Sequence, residues 1–123
     1  MAKILMVDDD RDFLEACKTI LEHSGHSVCM ASNVKEALER INSENPELIF
    51  LDIMMDLPDD GISLLHKLKR EGLETPIVML SAVGKVTGYN YGECSDVMPC
   101  DGFLAKPVNP QDLINRIEIV LGK

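Results

Sequence analysis

Residues 3–10 read KILMVDDD. Ile4, Leu5, Met6 and Val7 run straight into Asp8, Asp9 and Asp10. A short, unbroken apolar run closed by polar residues is the pattern of a strand buried on both faces, and such strands belong to parallel sheets covered by helices. Burying the first half of this stretch brings the second half to the rim of a core. Three like charges gathered there need something to neutralise them.

The pattern recurs along the chain. Residues 27–31, 48–51, 77–80 and 103–105 are further strand candidates, and helical patterns separate them. Over residues 11–24, Phe13, Leu14, Cys17, Ile20 and Leu21 share one helical face, with Asp10 as N-cap and Gly25 past the end. Asn33 opens a helix carrying Val34, Ala37, Leu38 and Ile41, which Asn45-Pro46 ends. Ile62, Leu64, Leu65 and Leu68 mark a third helix, stopped at Gly72. Asn109 and Pro110 begin a last one, lined by Leu113, Ile114, Ile117, Val120 and Leu121. Alternation asks for another helix between residues 82 and 101, but Gly84, Gly88, Gly92 and Pro99 interrupt the period there. Strand–helix alternation of this kind predicts the α/β class, a parallel sheet with right-handed crossovers, and ligands at the carboxyl ends of the strands.

With 123 residues, the chain is expected to form one domain around one sheet, with no separate output domain between the last helix and Lys123. Its net charge of −9 leaves little from which to build a phosphate-binding face, so direct nucleic-acid binding is not expected. No apolar run approaches the ~20 residues of a membrane span, and none comes after a basic stretch as in a signal peptide, so a cytoplasmic location is expected. Cys17 and Cys29 sit within apolar patterns and are expected to be buried thiols, while Cys94 and Cys100 fit no common zinc spacing. His23, His26 and His66 look like surface residues on or beside helices.

The chemistry sits at the strand ends. Asp8 and Asp9 come after the first strand, Asp52 after the third, Ser81 after the fourth and Lys106 after the fifth. In a parallel sheet these ends share one edge, so three carboxylates, a hydroxyl and an ammonium converge. Two unit charges ~4 Å apart repel by about 1 kcal/mol in water and about 4 kcal/mol at an effective dielectric of 20. One lysine cannot offset three such pairs. A hard divalent cation can, and clustered oxygens with room for water suit Mg²⁺, with Mn²⁺ as a substitute. A hydroxyl, an ammonium and the cation can then surround a transferring phosphoryl group, with Asp52 as the nucleophile. Capping alone is the plainer reading of the acidic triplet, but it leaves Asp52 and Lys106 unexplained.

VDDD after the first strand, LD after the third, SA after the fourth and KP after the fifth resemble the receiver domain of two-component response regulators, over the whole chain. The resemblance implies a flavodoxin-like, doubly wound five-stranded sheet of order 2-1-3-4-5 with helices on both faces. It implies that Asp52 accepts a phosphoryl group from a sensor histidine kinase or a histidine phosphotransfer protein. Asp9 would contact Mg²⁺ directly, Asp8 mostly through water and Met54 through its backbone carbonyl, while Ser81 and Lys106 would bind phosphoryl oxygens. Phe103 matches the switch aromatic that swings inward as Ser81 moves, changing the 81–106 face for a downstream protein or output domain. A cis Lys106-Pro107 bond is implied as well. Met54 and Val83 would flank the phosphoryl group; both are apolar and cannot orient water, so slow self-dephosphorylation is expected, in a signalling switch rather than a turnover enzyme.

The loop DIMMDLPDDG departs from the family pattern. Asp56 stands where the family carries proline, and Gly61 comes one residue late. The 81–106 stretch is also longer than usual and rich in glycine. Asp56, Asp59 and Asp60 are read as loop or cap charges, and Tyr89 and Tyr91 as candidate partner anchors. Three other functions are weaker. A haloacid-type phosphatase needs a second acid where Met54 stands, and a flavodoxin-like carrier needs a hydroxyl- and glycine-rich loop where this chain has DDDRD. A degenerate receiver acting as a phosphorylation-independent binding module would not require all five positions to be filled, as they are here.

Overall fold

The structure, a computed structural model, describes residues 2–52, 60–82, 102–106 and 109–122. The described elements are β1 (Lys3–Val7), α1 (Arg11–His23), β2 (Ser27–Ala31), α2 (Val34–Glu44), β3 (Leu48–Asp52), α3 (Asp60–Arg70), β4 (Ile77–Ala82), β5 (Gly102–Lys106) and α4 (Pro110–Leu121). The five strands form one parallel sheet in the order β2-β1-β3-β4-β5. Order reverses on either side of β1, which places the switch point between β1 and β3.

Side-chain alternation along the central strands divides the core into two layers. Ile4 and Met6 of β1 and Leu48 and Phe50 of β3 face α1 and α4, where they meet Leu14, Cys17, Leu21, Leu113 and Ile117. Leu5, Val7, Ile49 and Leu51 face the other way, against Ala37 and Ile41 of α2 and Leu64, Leu65 and Leu68 of α3. Every residue of β3 is buried. At about 1.5–3 kcal/mol for each large side chain removed from water, the two layers supply the main driving force for folding. The edge strand β2 is only half-covered. Its Cys29 is therefore half-buried rather than buried as expected; the Sγ donates weakly to Ile4 O at 3.6 Å, and burial pushes the thiol above its usual range.

The helix boundaries coincide with the capping residues. Asp10, Asn33 and Asn109 each accept a hydrogen bond from a backbone N–H three residues on, at 3.2, 2.8 and 2.8 Å. α1 and α3 close alike, with Gly25 N donating to Glu22 O and His26 N to Leu21 O, and Gly72 N to Lys69 O and Leu73 N to Leu68 O. Both closures need a left-handed residue, and Gly25 (φ 95°) and Gly72 (φ 85°) supply it. α2 instead ends on a left-handed Asn45 (φ 48°), with Pro46 next. The helix suggested by alternation between residues 82 and 101 lies outside the described residues. Among the described residues, no helix is long and apolar enough to cross a membrane.

The strands extend further than their apolar runs. β3 includes Asp52, β4 continues through Ser81 and Ala82, and β5 ends on Lys106. Asp52, Ser81 and Lys106 are thus held within the last rungs of the sheet, while Asp8 and Asp9 come after β1 as expected.

Candidate functional site

β1 and β3 are neighbours at the centre of the sheet, and their register sets Val7 beside Leu51. Asp8 and Asp52 each come next in sequence, so both reach the carboxyl edge at the same level. Asp8 N donates to Ala31 O at 3.1 Å, carrying the β1–β2 pairing past Val7. Its carboxylate is held too, because Asp10 N donates to Asp8 Oδ1 at 2.9 Å. Asp52 is fixed by its own strand, with Leu80 of β4 as register partner.

Asp8 is 0% and Asp52 4% exposed; among the described residues they are the two buried charged side chains. Asp9 is exposed. One ligand oxygen from each of the three lies within 4.8 Å of the others. At this spacing the two buried carboxylates repel strongly, and each repels the exposed Asp9 more weakly. The donor set is all hard oxygen, with three formal negative charges and an opening to solvent at Asp9. That chemistry fits a hard divalent cation and suits neither soft-metal nor anion binding.

The other residues expected here reach the same edge. The β4–β5 register pairs Ser81 with Ala105 and Ala82 with Lys106, so Ser81 stands one rung beyond the level of Asp52 and Lys106 one rung further. The backbone therefore brings strand ends distant in sequence to one edge. The side chains of Ser81, Phe103 and Lys106 lie outside the described part of the structure. So do Met54, Val83, the Lys106-Pro107 bond, Tyr89, Tyr91, Cys94 and Cys100.

The turn between β2 and α2 supports the site from one side. Glu36 Oε1 accepts from Ser32 N at 2.8 Å and from Ser32 Oγ at 2.7 Å, and Asn33 caps the same helix. The two Ser32 donors hold the Glu36 carboxyl below the usual carboxylate range, helped by the nearby guanidinium groups of Arg11 and Arg40. Ser32 comes directly after Ala31, whose carbonyl receives the Asp8 N–H, so this clamp bears on the backbone that positions Asp8. N-x-x-E at residues 33–36 is a visible capping signal, whereas the link from it to Asp8 is a tertiary contact without local signature. A cleft lined by Arg11, Leu14, Met30, Ser32, Glu36 and Arg40 lies between α1 and α2 and includes none of the three carboxylates. His26 is at the opposite edge of the sheet, its Nδ1 accepting from Ala2 N at 3.1 Å.

Comparison with known proteins agrees with this architecture. Residues 4–118 match the family model of the response regulator receiver domain. The chain is 36% identical over 124 residues to the alkaline phosphatase synthesis transcriptional regulatory protein PhoP of Bacillus subtilis, covering 97% of this chain and 48% of that protein. It is 36% identical over 125 residues to the transcriptional regulatory protein CpxR of Escherichia coli, covering 98% of this chain and 50% of that protein. The chain thus spans about half the length of the curated relatives it matches. Among solved structures, the receiver domain of the Francisella response regulator 1452 superposes with a TM-score of 0.84 at 33% identity, covering 99% of this chain and 98% of that one. With a matching family model over nearly its full length, a sheet of the same build and acidic residues gathered at the switch point, the chain belongs to the family of response regulator receiver domains.

Proposed function

We propose that this chain is a phosphoacceptor unit in which Asp52 takes a phosphoryl group from a phosphohistidine, on a sensor histidine kinase or a histidine phosphotransfer protein. The observation that carries this reading is the convergence of Asp8, Asp9 and Asp52 within 4.8 Å, two of them buried, at the switch point of the sheet. Residues 1–123 act as one receiver unit in this reading.

Asp8, Asp9 and Asp52 hold Mg²⁺, or Mn²⁺ in its place, together with the backbone carbonyl of Met54. Bound there, the cation offsets the clustered charge and the charge that builds on the phosphoryl oxygens. Asp52 is the nucleophile: a carboxylate oxygen forms the new bond to phosphorus, the P–N bond to the donor imidazole breaks, and the imidazole leaves with that bonding pair. Its place in the β3–β4 ladder fixes the backbone from which that carboxylate reaches the carboxyl edge. Ser81 and Lys106 bind the phosphoryl oxygens, and movement of Ser81 with Phe103 changes the 81–106 face that a downstream protein or output domain reads. No contact with nucleic acid or membrane is part of this function, and a cytoplasmic location suits it.

Incubation with acetyl phosphate and Mg²⁺, with intact mass measured afterwards, tests the reading. An adduct of one phosphoryl group on the wild type, absent from Asp52→Asn and absent in EDTA, is the expected result. Because Met54 and Val83 cannot orient a water, the adduct should persist for many minutes. Absence of any adduct supports the phosphorylation-independent binding module instead, and a lifetime of seconds refutes the apolar shielding.

A further inference from the structure

We infer that Asp10, through the N-cap of α1, is a positioning residue for Asp8 in the proposed cation site. The inference rests on the proposed cation site. Asp8 is fully buried with two other carboxylates within 4.8 Å, so electrostatic repulsion drives its side chain away from the cluster. The Asp10 N–H, donating to Asp8 Oδ1 at 2.9 Å, opposes that drift. A carboxylate has two oxygens, and fixing one orients the other.

The N–H of Asp10 can act this way only if the Asp10 backbone is itself fixed. Asp10 adopts the extended conformation of an N-cap, φ −90° and ψ 101°. Its Oδ1 accepts from Phe13 N at 3.2 Å, and its carbonyl accepts from Leu14 N at 3.1 Å. The first turn of α1 therefore grips Asp10 from both its side chain and its main chain, and Asp10 in turn grips Asp8. Leu14, the residue whose N–H closes this turn, is buried against the sheet, which ties the grip to the core. The Asp10 side chain contributes as a cap acceptor and not as a further charge for the cation. Any residue that caps the helix should serve.

The discriminating measurement is Mg²⁺ affinity of the intact chain, from amide chemical shifts during titration with MgCl₂. Asp10→Ala removes the cap acceptor and should weaken Mg²⁺ binding about tenfold, the low end of the loss seen when a hydrogen bond orienting a metal ligand is disturbed. Asp10→Asn and Asp10→Ser keep an acceptor oxygen and should bind within about twofold of wild type, since such residues cap helices comparably. Asp10→Gly preserves helix stability to within a few tenths of a kcal/mol but lacks the side-chain grip, so it should weaken binding even if Asp10→Ala fails to fold. Asn109→Ala deletes the equivalent cap of α4 and should leave Mg²⁺ affinity unchanged, separating positioning from general destabilisation. Wild-type affinity in both Asp10→Ala and Asp10→Gly would overturn the inference, leaving Asp10 a cap alone. Asp10→Asn as weak as Asp10→Ala would overturn it differently, by showing that the charge matters. If the wild type binds no Mg²⁺, or if Asp9→Asn leaves binding intact, the cation site falls and the inference with it.

Discussion

Neutralising Asp8 should make the metal-free protein more stable while removing most of its response to Mg²⁺. The substitution Asp8→Asn keeps the size of the side chain and an oxygen to accept from Asp10 N, so the turn into α1 survives. What changes is charge. Carboxylate oxygens within 4.8 Å of one another repel by about 3.5 kcal/mol at an effective dielectric of 20 and by about 0.9 kcal/mol in bulk water. The Asp8–Asp52 pair is buried and lies toward the larger value; the pair with exposed Asp9 lies toward the smaller. Relaxation and counter-ions reduce the sum, and a net gain of about 2 kcal/mol is expected in EDTA. For a chain of this size that corresponds to roughly 6–12 °C in Tm. Saturating Mg²⁺ should raise the wild type by about 2.7 kcal/mol at a hundred times its Kd and should raise the variant far less, so the gap narrows or reverses. Thermal unfolding monitored by circular dichroism, in EDTA and in MgCl₂, measures both arms. An Asp8→Asn protein less stable than wild type in EDTA would refute the electrostatic argument, because the repulsion it removes would then not exist.

Two further perturbations probe the support of the site and the sheet. Ser32→Ala removes one of two donors to Glu36 and should let that carboxyl rise toward its ordinary value, as an NMR titration would show. A carboxyl lowered in the folded state stabilises above its unfolded pKa and loses that contribution as pH falls through its folded value. The variant should therefore melt below wild type at neutral pH and converge with it in acid; a gap independent of pH would refute the clamp. Gly102→Ala places a methyl 3.2 Å from Val78 Cγ2 and from Arg116 Cδ. Val78 is buried and branched and gives way poorly, so urea unfolding should show a loss of about 1 kcal/mol. A Gly102→Ala loss that disappears in a Val78→Ala background, read as a double-mutant cycle, would locate the clash, and no loss in the single variant would show that the strand shifts freely.

Much of the frame is legible in the sequence because fully buried parallel strands show as unbroken apolar runs and helix ends carry their own chemistry. Asp10, Asn33 and Asn109 cap their helices as the residue types suggest, and Gly25 and Gly72 close theirs. Strand ends are less legible. Asp52, Ser81 and Lys106 look like the start of loops because they are polar, yet ladder pairing depends on the backbone and continues through them. The half-burial of Cys29 is equally hidden, since an apolar run does not reveal whether its strand lies at an edge or at the centre of a sheet.

The three aspartates that open the site show where local patterning stops. In sequence Asp8, Asp9 and Asp10 are one acidic triplet. In the fold they hold three positions: Asp8 buried and bonded, Asp9 exposed beside it, and Asp10 turned away to cap a helix. An extended chain sends neighbouring side chains to opposite sides, so a run of identical residues at a strand end must divide among different environments. Burying Asp8 and Asp52 together at the ends of the apolar runs Ile4–Val7 and Leu48–Leu51 opposes folding in the absence of a neutralising charge. Both clusters of the core reach these strands, and together they hold in place what repulsion would otherwise open. The charge frustration is therefore local, sustained by the packing beneath it, and placed where the proposed cation would relieve it.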